Sequence, residues 1–199
     1  MTRHLVTPLD ESALRSLRVG DRFTLTGDLF TARDAAHHKI VDLQLRGERL
    51  PFDVAGMALY HCGPIMKWTQ DQWIPISAGP TTSSRMEGSE PEVIRHLQLR
   101  LIIGKGGMGP DTLSALADVG GVYAHYTGGA GALAARSIRR VSGVHWLDEL
   151  GMPEAVWRLE VDGFGPLTVT MDSHGRSLYE EVSRDVNRHL EPRRQVRGG

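Results

Sequence analysis

The chain has 199 residues, 40% hydrophobic and 24% charged, with 23 Gly, 10 Pro and a single Cys. Length and apolar content of this order bury a real core, which excludes a disordered chain and a miniprotein held together by staples. Lys and Arg total 23 against 24 Asp and Glu, and the net charge of −1 offers no bulk attraction to nucleic acid or an anionic membrane.

Any anion must then be bound by locally placed cations. No apolar run reaches the roughly 18 residues that span a bilayer, and Met1 to Asp10 lacks the apolar centre of a signal peptide, so a cytoplasmic protein is expected. Cys62 alone forms no internal disulfide and cannot supply the thiolates of an iron–sulfur cluster or a structural zinc site.

In chain order, Leu9 to Leu17 predicts a short helix, with Asp10 as N-cap and Leu14 and Leu17 on one face. Arg22 to Thr26 alternates in the strand period, and Gly27-Asp28 predicts a tight turn before Leu29-Phe30-Thr31. Ala32 to Arg46 favours helix, stopped by Gly47. Ala55 to Tyr60 and Trp73 to Ala78 read as strands closed by Gly63-Pro64 and Gly79-Pro80, and Pro75 sends the second to an edge. A helix over Pro91 to Leu99 precedes the strand Leu101-Ile102-Ile103, and a further helix starts at Asp111. Val122 to Tyr126 is a strand and Ala130 to Ile138 a small-residue helix. Val156 to Val161 and Leu167 to Met171 predict a hairpin around Asp162 to Pro166. Arg176 to Leu190 is an amphipathic helix, with Leu178, Val182, Val186 and Leu190 at four-residue spacing. Residues 1–190 are expected to form one α/β domain, and residues 191–199 a flexible tail.

Three segments that follow predicted strands combine permissive backbone with cations or hydroxyls. They are Thr31-Ala32-Arg33-Asp34, Gly79 to Arg85, and Gly104-Lys105-Gly106-Gly107. Loops at strand ends of layered α/β folds are where ligands usually bind, and Arg33, Arg85 and Lys105 would converge there on a small anion. Arginine grips a carboxylate with two parallel hydrogen bonds and lysine adds a compact charge, so the trio suits a substrate with two carboxylates. Each segment read alone is equally an ordinary turn or a solvated ion pair. No Ser or Thr follows Lys105, so the Walker A spacing is not met. The adjacent His37 and His38 point about 100° apart on a helix and read as surface or capping residues, while Cys62 reads as a buried thiol beside His61.

Taken together, the motifs resemble a known family. Thr7-Pro8-Leu9, Val19-Gly20-Asp21, Thr31 to His37, Gly79 to Met86, Ile103 to Gly107 and Gly128-Gly129-Ala130 fall in the order found in the beta subunit of the two-subunit iron–sulfur hydro-lyases. This is the L(+)-tartrate dehydratase and class I fumarase family. The resemblance implies a swivelling β/β/α domain, similar to the mobile last domain of aconitase. That domain would dock onto an alpha subunit holding a [4Fe-4S] cluster in a hetero-oligomer. It further implies that Thr81 is the base that removes the carbon-bound proton, and that Arg33, Arg85 and Lys105 bind the substrate carboxylates. No metal ligand is expected in this chain, and Cys62 is not read as one. Fumarate and malate are the first expected substrate pair, and conversion of L(+)-tartrate to oxaloacetate is the alternative. A non-catalytic anion-binding regulatory module is the reading from another class.

Overall fold

The computed structural model describes residues 2–195, and the side-chain surroundings of residues 2–190. The first half of the chain runs β1 (Arg3–Val6), α1 (Glu11–Arg15), β2 (Arg22–Thr31), α2 (Asp34–Leu45), β3 (Ala58–Tyr60), β4 (Ile65–Thr69) and β5 (Gln72–Ser77). A 3-10 turn (Ser83–Met86) leads into α3 (Glu90–Leu97), β6 (Leu101–Gly104), α4 (Pro110–Val119) and β7 (Val122–His125). The chain then forms α5 (Gly131–Arg136), β8 (Ile138–His145), α6 (Leu147–Leu150), β9 (Val156–Met171) and α7 (Leu178–Gln195).

Wholly apolar strands are stable only when both faces are covered. In β3, β6 and β7 this requirement is met by strict alternation. Ala58, Tyr60, Leu101, Ile103, Val122 and Ala124 enter one apolar cluster, shared with Trp157, Leu159, Phe164 and Leu167 of β9. Leu59, Ile102 and Tyr123 enter a second, shared with Ile40 of α2, Val93 and Ile94 of α3, and Leu116 of α4. Strand order is β1-β2-β3-β6-β7-β9-β8, with β1, β2, β3, β6 and β7 parallel to their neighbours. Because β9 pairs antiparallel with both β7 and β2, the sheet curls back on itself. The carboxyl ends of β2, β3 and β6 consequently lie side by side.

Two expected turns are absent. Gly27-Asp28 does not end a strand, for β2 is continuous across it and carries register shifts on either side of Leu25. Gly27 has φ +108, and a Cβ there would lie 2.1 Å from Thr7 Oγ1, so glycine is required for close approach of the chain leaving β1. Asp162 to Pro166 likewise does not close a hairpin. Its two flanking segments pair successively with β2, through Gly27↔Val161, Leu25↔Phe164 and Phe23↔Leu167, and form one strand of 16 residues. Phe164 is buried and stacks on Tyr126 at 4.9 Å, so core packing overrides the turn chemistry of its glycines.

The predicted helix over Ala130 to Ile138 ends at Arg136, and Ile138 already opens β8. Strands β1, β4 and β8 carry no strong strand signal in the sequence; β8 is mostly exposed or half-buried, and β4 gains its identity from pairing with β5. Helix α7 has the expected stripe, yet Val182, Val186 and Leu190 are about half exposed. It continues to Gln195, and the remainder of the expected tail lies outside the described residues. No helix among the described residues is long and apolar enough to cross a membrane.

Candidate active site

Arg33 follows β2 directly and stands at the N-cap position of α2. Its Nη2 lies 3.2 Å from Glu154 and 3.9 Å from Asp34, while its Nε is buried without an acceptor among the described residues. The side chain as a whole remains 22% exposed, and a guanidinium's planar fork matches a carboxylate. Asp34 also accepts from Arg85 Nη2 at 2.6 Å, so one carboxylate joins two arginines that are 52 positions apart in the chain. The same Arg85 Nη2 donates to Thr81 Oγ1 at 3.3 Å.

The Thr81 loop is anchored from beneath. Thr81 N–H donates to the His61 carbonyl at 2.8 Å, just past β3, and Thr82 forms a parallel bridge with Lys105, just past β6. Ser83 N–H donates to the Lys105 carbonyl at 3.0 Å. Lys105 runs past Gly128, where a Cβ would stand 3.1 Å from its Cδ, so close approach accounts for that glycine. The structure thus joins the Arg33 and Arg85 side chains through Asp34, and Thr81 to Arg85 directly, and ties Lys105 to the same loop through its backbone, at the carboxyl ends of parallel strands, the usual ligand position in such sheets. A groove of about 410 Å³ between α2 and α3 touches Arg85 alone of these residues, and we place the site at the strand ends because the contacts converge there.

Beneath the cations lies a second set of polar groups that the sequence reading missed. His37, His61 and Glu90 are fully buried, and Glu90 Oε2 accepts from His37 Nε2 at 2.7 Å and from His61 Nε2 at 2.9 Å. The expectation that His37 is a surface or capping residue is therefore corrected. Burial works against both charged forms, but the mutual attraction and hydrogen bonds outweigh it, holding Glu90 down to about 2 and His37 above its ordinary range. Glu90 stands at the start of α3 and in the sequence is indistinguishable from the equally acidic Glu92. His37 alone carried a local clue, four residues beyond Arg33 on a helix. These three side chains are the metal-type grouping among the described residues, and its short N···O separations are hydrogen-bond lengths.

A [4Fe-4S] cluster does not fit this chain's own donors. Cys62 is its sole cysteine, buried in the core, and burial pushes its thiol far above the range in which a thiolate ligand forms.

Fold and site define an α/β protein with cation-bearing loops at its strand ends and a hydroxyl set against a guanidinium. The family model described as fumarase C-terminus matches residues 3–182, and the chain belongs to that family. It is 50% identical over 182 residues to a protein of Methanocaldococcus jannaschii provisionally named L(+)-tartrate dehydratase subunit beta, covering 92% of this chain and 93% of that one. The L(+)-tartrate dehydratase subunit beta of Escherichia coli K12 is 41% identical, covering 91% and 88%. A Geobacillus stearothermophilus protein provisionally named fumarate hydratase class I is 42% identical, covering 90% of this chain and 34% of that longer one. All three names denote hydro-lyases or their subunits, as expected.

Proposed function

We propose that the chain is a single swivelling domain, comparable to the mobile last domain of aconitase, that serves as the beta subunit of a two-subunit hydro-lyase. Its substrate is a four-carbon dicarboxylate. The observation that carries this reading is the convergence of Arg33, Arg85, Lys105 and Thr81 on three adjacent strand ends. Arg33 and Arg85 grip the two carboxylates and Lys105 adds a third positive charge. A threonine hydroxyl is a poor base in water, so Thr81 acts as an alkoxide stabilised by the Arg85 guanidinium 3.3 Å away. Thr81 Oγ1 takes the proton from carbon, the electron pair left behind forms the double bond, and hydroxide leaves from the neighbouring carbon. Hydration runs the same steps in reverse.

The partner alpha subunit supplies the [4Fe-4S] cluster, in keeping with the single buried thiol here. Support for a permanent partner comes from the β4–β5 hairpin, which leaves the site at Cys62 and returns to it at Gly79. It exposes Ile65, Trp68, Ile74 and Ile76, apolar surface of the kind a partner covers. A reducing cytoplasm suits such a complex. The identities to beta subunits of matching length favour L(+)-tartrate as substrate, and the identity to the longer fumarate hydratase supports fumarate and malate as the second reading. Both offer the same pair of carboxylates to the cations and differ at one hydroxyl.

The test is an anaerobic assay with L(+)-tartrate, fumarate and malate, on the chain alone and with its alpha subunit. Turnover in the complex only, lost with Thr81→Ala, is the expected result. Equal function of the wild type and Thr81→Ala would leave the regulatory anion-binding module.

A further inference from the structure

All four site residues hang from one buried hydrogen-bond network, and its proton count can be worked out. His37 Nδ1 faces the Arg33 carbonyl at 2.8 Å, and a carbonyl only accepts, so Nδ1 carries a proton. Nε2 of the same ring faces the Glu90 carboxylate and donates as well, so His37 is an imidazolium. His61 donates through Nε2 to the same carboxylate oxygen, which leaves Nδ1 free to accept from Ser83 Oγ–H at 2.8 Å. Ser83 Oγ also accepts from Lys105 N–H at 3.3 Å and lies 2.9 Å from the Tyr123 hydroxyl, which shares its one proton between Ser83 Oγ and the Gly106 carbonyl at 3.1 Å. Glu90 Oε1 has no partner among the described residues, so the carboxylate depends wholly on the two imidazoles at Oε2.

Every site residue is one step from this network. Arg33 is held by its carbonyl on the His37 ring, Thr81 by its N–H on the main-chain carbonyl of His61, whose ring the network fixes, and Lys105 by both backbone groups on Ser83; Arg85 lies in the 3-10 turn that Ser83 opens. A buried ion pair gains little net stability over a well-packed apolar substitute, so stability alone does not account for it, whereas fixing one arrangement of three loops does. We propose that Glu90, acting through His37 and His61, is a positioning residue that sets the spacing between the Arg33, Thr81–Arg85 and Lys105 segments and so prepares the dicarboxylate site. The inference rests on those four residues being the substrate site.

The experiment uses the complex with the alpha subunit and compares Glu90→Gln, His61→Asn and His61→Gln with Thr81→Ala. Asn keeps a group near the Nδ1 position facing Ser83, and Gln keeps one near Nε2 facing Glu90, so each preserves one half of the relay. Misplacement of reacting groups by an ångström costs about 10²-fold in rate, and a loss of that order in kcat/KM, assayed well below the melting temperature, is expected for all three. In nitrogen-correlated NMR spectra of labelled beta subunit in the complex, His37 should show both ring nitrogens protonated at neutral pH in the wild type and only one in Glu90→Gln. Wild-type kcat and KM in the folded His61→Asn and His61→Gln complexes overturns the proposal, even where Glu90→Gln fails to fold. A neutral His37 ring in the wild type overturns it too. Full activity of Thr81→Ala would instead remove the reading on which the proposal stands, and the two failures are thus separable.

Discussion

The outer and inner tiers of the site are built on opposite principles. Outside, Arg85 is about half exposed and Arg33, Asp34 and Thr81 are partly so, and ion pairs in such surroundings are screened and contribute little stability. Inside, His37, His61 and Glu90 see no solvent, and each hydrogen bond there is costly to break. Charge that must meet a ligand stays where water can be displaced, and the geometry that aims it is stored where water cannot compete. The comparison predicts that outer substitutions alter chemistry while sparing the fold, and inner ones alter both.

The largest effect should come from Thr81→Ala. Loss of the proton-accepting oxygen is expected to lower kcat by about 10³-fold with an unchanged melting temperature. A parallel fall in melting temperature would break the division between the tiers. Next, Glu90→Gln should destabilise the chain by about 3 kcal/mol near pH 5.5, measured by chemical denaturation, because His37 loses its counter-charge. The pH dependence sharpens this. Glu90 has its pKa lowered on folding, so its contribution is complete above the ordinary 4.5 and is lost as pH falls toward about 2. His37 has its pKa raised, so its contribution is complete below the ordinary 6.5 and is lost as pH climbs through the raised value. The stability gap between wild type and Glu90→Gln should therefore be widest between 4.5 and 6.5 and shrink on both sides. A gap that does not vary with pH would mean that the pair is not ionised.

Arg85→Lys should come third, raising KM about 10- to 50-fold, since an ammonium cannot serve Asp34, Thr81 and a carboxylate with one planar fork. Asp34→Asn should be the smallest, a change of about threefold in KM and well under 1 kcal/mol in stability, as befits an exposed pair. An effect of Asp34→Asn equal to that of Glu90→Gln would erase the distinction between tiers.

Much of the outer tier was legible because its signals are local. Arg33, Thr81, Arg85 and Lys105 each sit in a short strand-end segment whose glycines, hydroxyls and cations are read within a few residues, and the order of those segments carried the family. The apolar runs of β3, β6 and β7 were legible for the same reason, since both faces are buried and every residue but the terminal His125 is apolar or small. What failed was equally specific. Gly27-Asp28 and Asp162 to Pro166 have turn chemistry, but their neighbours pair across the sheet, so bulges in two long strands replace the turns. The bland reading of His37 failed because its partner Glu90 is 53 positions away.

By itself, then, the sequence determined the alternation of apolar strands and helices, the cation-bearing loops between them and the family, all properties of neighbouring residues. Only the tertiary structure decided that β9 is one strand, that Asp34 ties Arg33 to Arg85, and that a single carboxylate on α3 holds two imidazoles beneath the site. Apart from the adjacent Arg33 and Asp34, those contacts join residues from tens of positions to more than a hundred apart. Their existence depends on sheet closure and burial, which no local pattern of residues encodes.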